Sequence, residues 1–129
     1  MSVERFCQTV ETKMKGGLLS VVVLHIIGAA DPPIHGYLLT KTLETLTEGT
    51  LRIQAGTLYP ILKSLENHGL IKHEMVRSTE GPPRKTYRLT HEGAGALKRV
   101  VPIMDDLFTS IGKVREADWN EIIQEASEK

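Results

Sequence analysis

Cysteine is nearly absent. Cys7 is the single one in 129 residues, so no disulfide can close within the chain and a Cys-x-x-Cys zinc site is excluded. A reducing, cytoplasmic setting is the expectation. Net charge is absent as well: 16 basic side chains cancel 16 acidic ones. No global basic signature therefore marks the chain as a non-specific nucleic-acid binder. Long apolar runs are missing too. The longest, Leu18 to Ile27, is interrupted by Ser20 and His25 and is about half of the roughly 20 residues that span a bilayer. No signal peptide is expected, since Glu4 and Glu11 stand in the N-terminal stretch without a long apolar core. There is no internal repeat, low-complexity tract or linker, and the length suits one core.

The patterns of enzyme chemistry are equally scarce. Cys7 lies in an amphipathic stripe, where it acts as a small hydrophobe rather than a nucleophile. Asp105 and Asp106 are adjacent, so on a helix they diverge instead of pairing. Gly81 and Gly93-Ala94-Gly95 form no phosphate loop, and no G-x-x-x-x-G-K-[ST] string occurs. His25 sits in the most apolar stretch and reads as a core histidine. His68, His73 and His91 could converge on a metal, but neither an H-x-x-x-H spacing nor a carboxylate pattern supports it. No catalytic residue, metal or cofactor is expected.

What is present is concentrated in residues 54–90. From Gly56 to Asn67, Leu58, Ile61, Leu62 and Leu65 share one side of a helical wheel. The other side carries Gly56, Tyr59, Pro60, Lys63 and Asn67, with Thr57 and Ser64 at its edge. Proline is tolerated only near a helix start, so the helix is placed from Gly56 or Thr57, with Gly69 as its stop. Leu70 to Ser78 then alternates as a strand, Glu80-Gly81-Pro82-Pro83 turns the chain, and Arg84 to Leu89 returns with Tyr87 and Leu89 on one face. Seven cations (Arg52, Lys63, Lys72, Arg77, Arg84, Lys85, Arg88) accompany three acids (Glu66, Glu74, Glu80), whereas residues 105–129 hold seven acids and three bases. Charge is segregated although its sum is zero.

The flanking segments complete the picture. Ser2 to Lys15 is expected as a short amphipathic helix ending at Gly16-Gly17, its apolar stripe packing on its own domain or across a dimer. Gly17 to Ala29 is apolar on nearly every face. It suits a buried strand or a buried helix, and its length favours the helix. After Ala30-Asp31-Pro32-Pro33, a second helix would bury Ile34, Leu38, Leu39, Leu43 and Leu46 and end at Glu48-Gly49-Thr50. Thr90 is an N-cap for a long helix whose residues Ala94, Leu97, Val101, Met104, Phe108 and Ile111 step by three and four, with Pro102 expected to kink it. Such a stripe is best buried by a twofold-related copy. Asp118 to Glu121 makes a capping box for a short terminal helix.

The strings HGYLL at 35–39, GTLYPILKSLENHGLI at 56–71 and GPPRKTYRLTHEG at 81–93 resemble the PadR family of transcriptional regulators, in order and spacing, over roughly Gly16 to Val114. Thr86 and Glu80 depart from residues common in that family. The resemblance implies a mainly α fold with a small β-hairpin: a winged helix-turn-helix with an extra N-terminal helix in residues 1–90, and a dimerisation helix plus short terminal helix in 91–129. It implies a cytoplasmic homodimer that represses transcription from an inverted-repeat operator in double-stranded DNA. By helix-turn-helix geometry, Gln54, Thr57, Tyr59 and Lys63 would face base edges or neighbouring phosphates, Gly56 would let the backbone approach closely, and Arg84 and Lys85 would grip phosphate or reach a minor groove. Tyr37 would contact phosphate or plug the core. Many relatives respond to a small aromatic or hydrophobic effector, which here would lie against Val101, Met104, Leu107 and Phe108, residues that equally suit a plain dimer core. The competing class is a winged helix used for protein interaction without DNA.

Overall fold

The computed structural model describes residues 2–129. Its first element corrects the sequence reading: α1 (Ser2–Ala29) is one continuous helix of 28 residues, not two. Each helical glycine costs only about 1 kcal/mol relative to alanine. Gly16 and Gly17 are therefore crossed when residues on both sides favour helix, and the true stop is the Asp31-Pro32-Pro33 segment. By length and composition α1 could also cross a membrane. Its inner half is instead built into the protein interior through Leu19, Val23, Leu24 and Ile27. Only that side is covered, so His25, expected in the core, is exposed.

Beyond the prolines, Ile34 and His35 form a two-residue strand, β1 (Ile34–His35), before α2 (Gly36–Leu46) begins. Leu39 and Leu43 are buried as expected, but Leu38 and Leu46 are not. Both line a shallow apolar cavity of about 500 Å³ together with His25 and Ile26. Thr47 closes α2: its Oγ1 donates to Leu43 O at 2.9 Å and accepts from Leu51 N–H at 3.0 Å. That hydroxyl holds the turn to α3 (Ala55–Asn67). α3 starts at Ala55, a residue before the start that the proline favoured, with Gln54 O accepting from the amides of Thr57 and Leu58. Pro60 lies inside the helix. Gly56 and Pro60 are both exposed, so water can serve the carbonyl that a prolyl nitrogen leaves unpaired.

α3 ends in a Schellman turn, Leu70 N–H reaching Leu65 O at 3.0 Å over Gly69 at φ 73°. The chain then enters β2 (Ile71–Val76) and returns in β3 (Arg84–Leu89), paired antiparallel with Ile71 opposite Leu89 and His73 opposite Tyr87. β1 adds to the other edge of β3, His35 opposite Thr86, making a three-stranded sheet where the sequence indicated two strands. α4 (His91–Glu116) runs through Pro102, and α5 (Trp119–Ser127) follows, each with its expected side-chain cap from Thr90 and Asp118. The core joins α1, α2, α3 and the sheet through residues such as Val23, Leu39, Leu58, Leu62 and Ile71. Each such side chain stabilises the fold by about 1.5–3 kcal/mol through burial.

Candidate nucleic-acid interface

Burial of Leu58, Leu62 and Leu65 fixes the rotation of α3. With those three turned inward, Gly56, Thr57, Tyr59, Pro60 and Lys63 are exposed on the opposite side, and exposed Gln54 stands at the N-cap. Glu66, in the last turn, ties α3 to the sheet: its Oε2 accepts from His73 Nδ1 at 2.5 Å. α3 and the hairpin are thus linked by a turn and by the Glu66–His73 hydrogen bond.

Arg84 and Lys85 open β3 and are exposed. A cavity of about 360 Å³ brings them together with Tyr37 of α2 and Tyr59 of α3, and also with His35, Gly36, Pro83 and Tyr87. Gly36 packs beside Leu58 and the Tyr59 hydroxyl, and a Cβ there would meet them at ordinary contact distances of 3.4 and 3.5 Å. Tyr37 is 66% exposed and stacks under Lys41 Nζ at 5.5 Å, so it is a surface residue rather than a core plug. Gln54, Gly56, Thr57 and Lys63 lie outside this cavity, along the open face of α3.

Two of the seven cations are neutralised, Arg52 by Glu44 and Arg88 by Glu74. Among the described residues, Lys63, Lys72, Arg77, Arg84 and Lys85 have no acidic partner within ion-pair distance. Burial, then the Glu66 carboxylate and Tyr59, push the Tyr87 phenol above its ordinary value, keeping it neutral. Burial and then the Arg84 guanidinium hold His35 below the usual imidazole value. Sequence reasoning does not single out His35 as a site residue. Its place beside Arg84 depends on β1, and a two-residue strand has no periodicity to read.

The residues expected to meet an effector are divided. Met104, Leu107 and Phe108 line an apolar groove of about 320 Å³ against Met14, Leu18 and Val21 of α1. Val101 faces another apolar cavity, which Met104 also borders, beside His25 and Leu43. The remaining histidines do not converge. His68 Nδ1 bonds Ser64 O at 2.7 Å, and His73 is held by Glu66. Among the described residues, no group of three or more His, Cys, Asp or Glu is placed to hold a metal.

Comparison with known proteins gives this arrangement a context. Residues 23–99 match the family described as transcriptional regulator PadR-like. Transcriptional regulator Rv3488 of Mycobacterium tuberculosis is 42% identical over 93 residues, which cover 71% of this chain and 83% of that protein. A PadR family transcriptional regulator from Eggerthella lenta superposes with a TM-score of 0.72 at 30% identity, covering 92% of this chain and 99% of the other. A Streptococcus transcriptional regulator gives 0.66 at 32% identity, covering 80% and 96%. These relatives are regulators and not enzymes. The helix, hairpin and long C-terminal helix found here are therefore those of a transcriptional regulator, and the chain belongs to the PadR-like family.

Proposed function

We propose that this regulator binds duplex DNA as a homodimer, reads an inverted-repeat operator with α3, represses transcription in the cytoplasm and can be released by a small hydrophobic or aromatic effector. One observation carries the reading: Tyr59, on the exposed face of α3, shares one concavity with Tyr37 and with Arg84 and Lys85, which have no acidic partner among the described residues. Bases are read from such a helix, and phosphates from its flanks. Residues 1–90 form the DNA-binding head and 91–129 the dimer seam, to which the outer half of α1 contributes.

Exposed apolar residues support that seam. Phe6 and Met14 of α1, with Ile103, Leu107, Phe108 and Ile111 of α4, are each more than half exposed in the single chain. A second copy would cover them, and a twofold axis would set half-sites about 10 bp apart or a multiple of it. The groove beside Met104, Leu107 and Phe108 is where an effector would insert between protomers.

Selection of random duplexes by the purified protein, followed by affinity measurements at several salt concentrations, tests the proposal. An inverted repeat and a steep fall of affinity with salt are expected. Enrichment of no sequence, with no salt-dependent shift, would instead favour a protein-interaction module. Lys63→Ala and Thr57→Ala, scanned against every base change in one half-site, should relax preference at one or two positions, each good contact contributing roughly 1–3 kcal/mol.

A further inference from the structure

His35 caps α2 with one ring nitrogen and meets a cation with the other. Leu38 N–H lies 3.3 Å from Nδ1 and Arg84 Nη1 lies 3.2 Å from Nε2. An amide N–H and a guanidinium both donate only, while a neutral imidazole has a single acceptor nitrogen. If Nδ1 accepts the cap, the proton sits on Nε2 and points at Arg84. If Nε2 accepts from Arg84, Nδ1–H points at Leu38 N–H and the cap is lost. Either tautomer leaves two donors facing each other.

The surroundings supply no acceptor of the right charge. The titratable groups bordering the cavity are Tyr37 from α2, Tyr59 from α3, and Arg84, Lys85 and Tyr87 from β3. None is a carboxylate, and Arg84 and Lys85 are basic side chains. We infer that this cavity is a phosphate site in which His35 Nε2–H and Arg84 donate to the same oxyanion, the sugar-phosphate backbone of bound DNA being its source. This rests on the DNA-binding reading above and extends it to a residue outside the recognition helix and the wing tip. A tetrahedral oxyanion offers separate oxygens to His35, Arg84 and Lys85, which ends the conflict at Nε2; Nδ1 gives up the Leu38 cap when the ring takes up a second proton. The anion also reverses the local field. Before binding, Arg84 and burial favour the neutral ring; afterwards the negative charge favours the imidazolium, so binding takes up a proton.

The test uses the full chain and His35→Asn, since asparagine keeps a good N-cap but cannot titrate. Duplex affinity is measured from pH 5.5 to 8 at fixed ionic strength, and the histidine ring nitrogens are followed by 15N NMR. Wild-type affinity should rise as pH falls, approaching tenfold per pH unit per protomer, with an Nε2 shift on adding DNA. His35→Asn should bind several-fold more weakly at pH 6 and lose that part of the pH dependence. Equal pH profiles in two proteins that both bind DNA overturn the inference and leave the DNA-binding reading standing. If wild type binds no duplex, that reading fails, and inorganic phosphate decides the anion site. An Nε2 shift with millimolar phosphate, but not with chloride at the same ionic strength, supports it with free phosphate as the source. No shift overturns it. A shift with inorganic phosphate but none with bound duplex rejects the backbone as the source.

Discussion

Gly93→Ala should cost more stability than any other single methyl group added to α4. Gly93 is buried at the third position of the helix, and a Cβ there would lie 2.0 Å from the Leu70 carbonyl oxygen and 2.7 Å from Leu89 Cδ1. The first separation falls about 1.4 Å short of ordinary contact, and its partner is backbone. The helix must therefore move as a body. Leu70 O accepts from Thr90 N–H at 3.0 Å, and Thr90 Oγ1 donates to Gly69 O at 2.7 Å while accepting from Gly93 N–H at 3.0 Å. Displacement strains or breaks that cluster. Overpacking costs about 1–3 kcal/mol and each broken hydrogen bond about 0.5–1.5 kcal/mol. Helix propensity returns about 1 kcal/mol, leaving a net loss of about 1–5 kcal/mol with two of these bonds broken. Gly95, in the same helix, has nothing within 4 Å of its would-be Cβ, so Gly95→Ala should gain about 0.5–1 kcal/mol from propensity alone. Urea denaturation followed by circular dichroism, at one protomer concentration, separates the two. Equal stability of the two variants would refute the packing argument.

Replacing Met104 and Phe108 together by Asp should yield monomers at low micromolar concentration in sedimentation, because uncompensated buried charges cost several kcal/mol; a persistent dimer would exclude this seam. Arg84→Ala with Lys85→Ala should weaken all duplexes alike and lower the salt slope by about 1 for each phosphate no longer neutralised. A changed sequence preference at unchanged slope would contradict that role. Without DNA, His35 should make the fold acid-sensitive. Its folded value is depressed below 6.5, so above that pH both states hold a neutral ring. As pH drops through 6.5 toward the folded value, the unfolded chain binds the proton more readily and stability falls. Thermal melts from pH 7.5 to 5 should show wild type losing more stability than His35→Asn; parallel curves would count against it.

The sequence speaks most clearly where local pattern and tertiary demand agree. β3 begins at Arg84 and ends at Leu89 as its alternation indicates, Thr90 caps α4, and Gly69 takes the left-handed turn. It misleads where a local signal is overridden. Gly16-Gly17 reads as a stop, yet the helix continues because nothing after it turns the chain. Leu38 and Leu46 fall near the apolar stripe of α2 but lie over a shallow cavity that other elements leave uncovered. β1 is invisible in the sequence because its partner, β3, lies some fifty residues away and the pairing is only two residues long. The same distance hides His35. HGYLL stands out as a string, but its first residue gains chemical meaning only beside Arg84. The exposed face of α3 is legible, since burying three leucines determines which residues remain outside.

The unbroken α1 has a mechanical side. At 1.5 Å per residue its 28 residues make a rod of about 42 Å. One end is anchored in the core by Val23 and Ile27, while the other carries exposed Val3 and Phe6. A tilt of 5° about the anchored end sweeps the free end through about 4 Å at that length, comparable to the rise of a single base-pair step. Gly16 and Gly17 sit near mid-span, where an added Cβ would touch nothing, just before Leu19 begins the anchored portion. Two glycines, among the weakest helix formers, therefore stand between its free and its fixed half. The stiffness of those two residues would govern how much of a displacement at one end reaches the other.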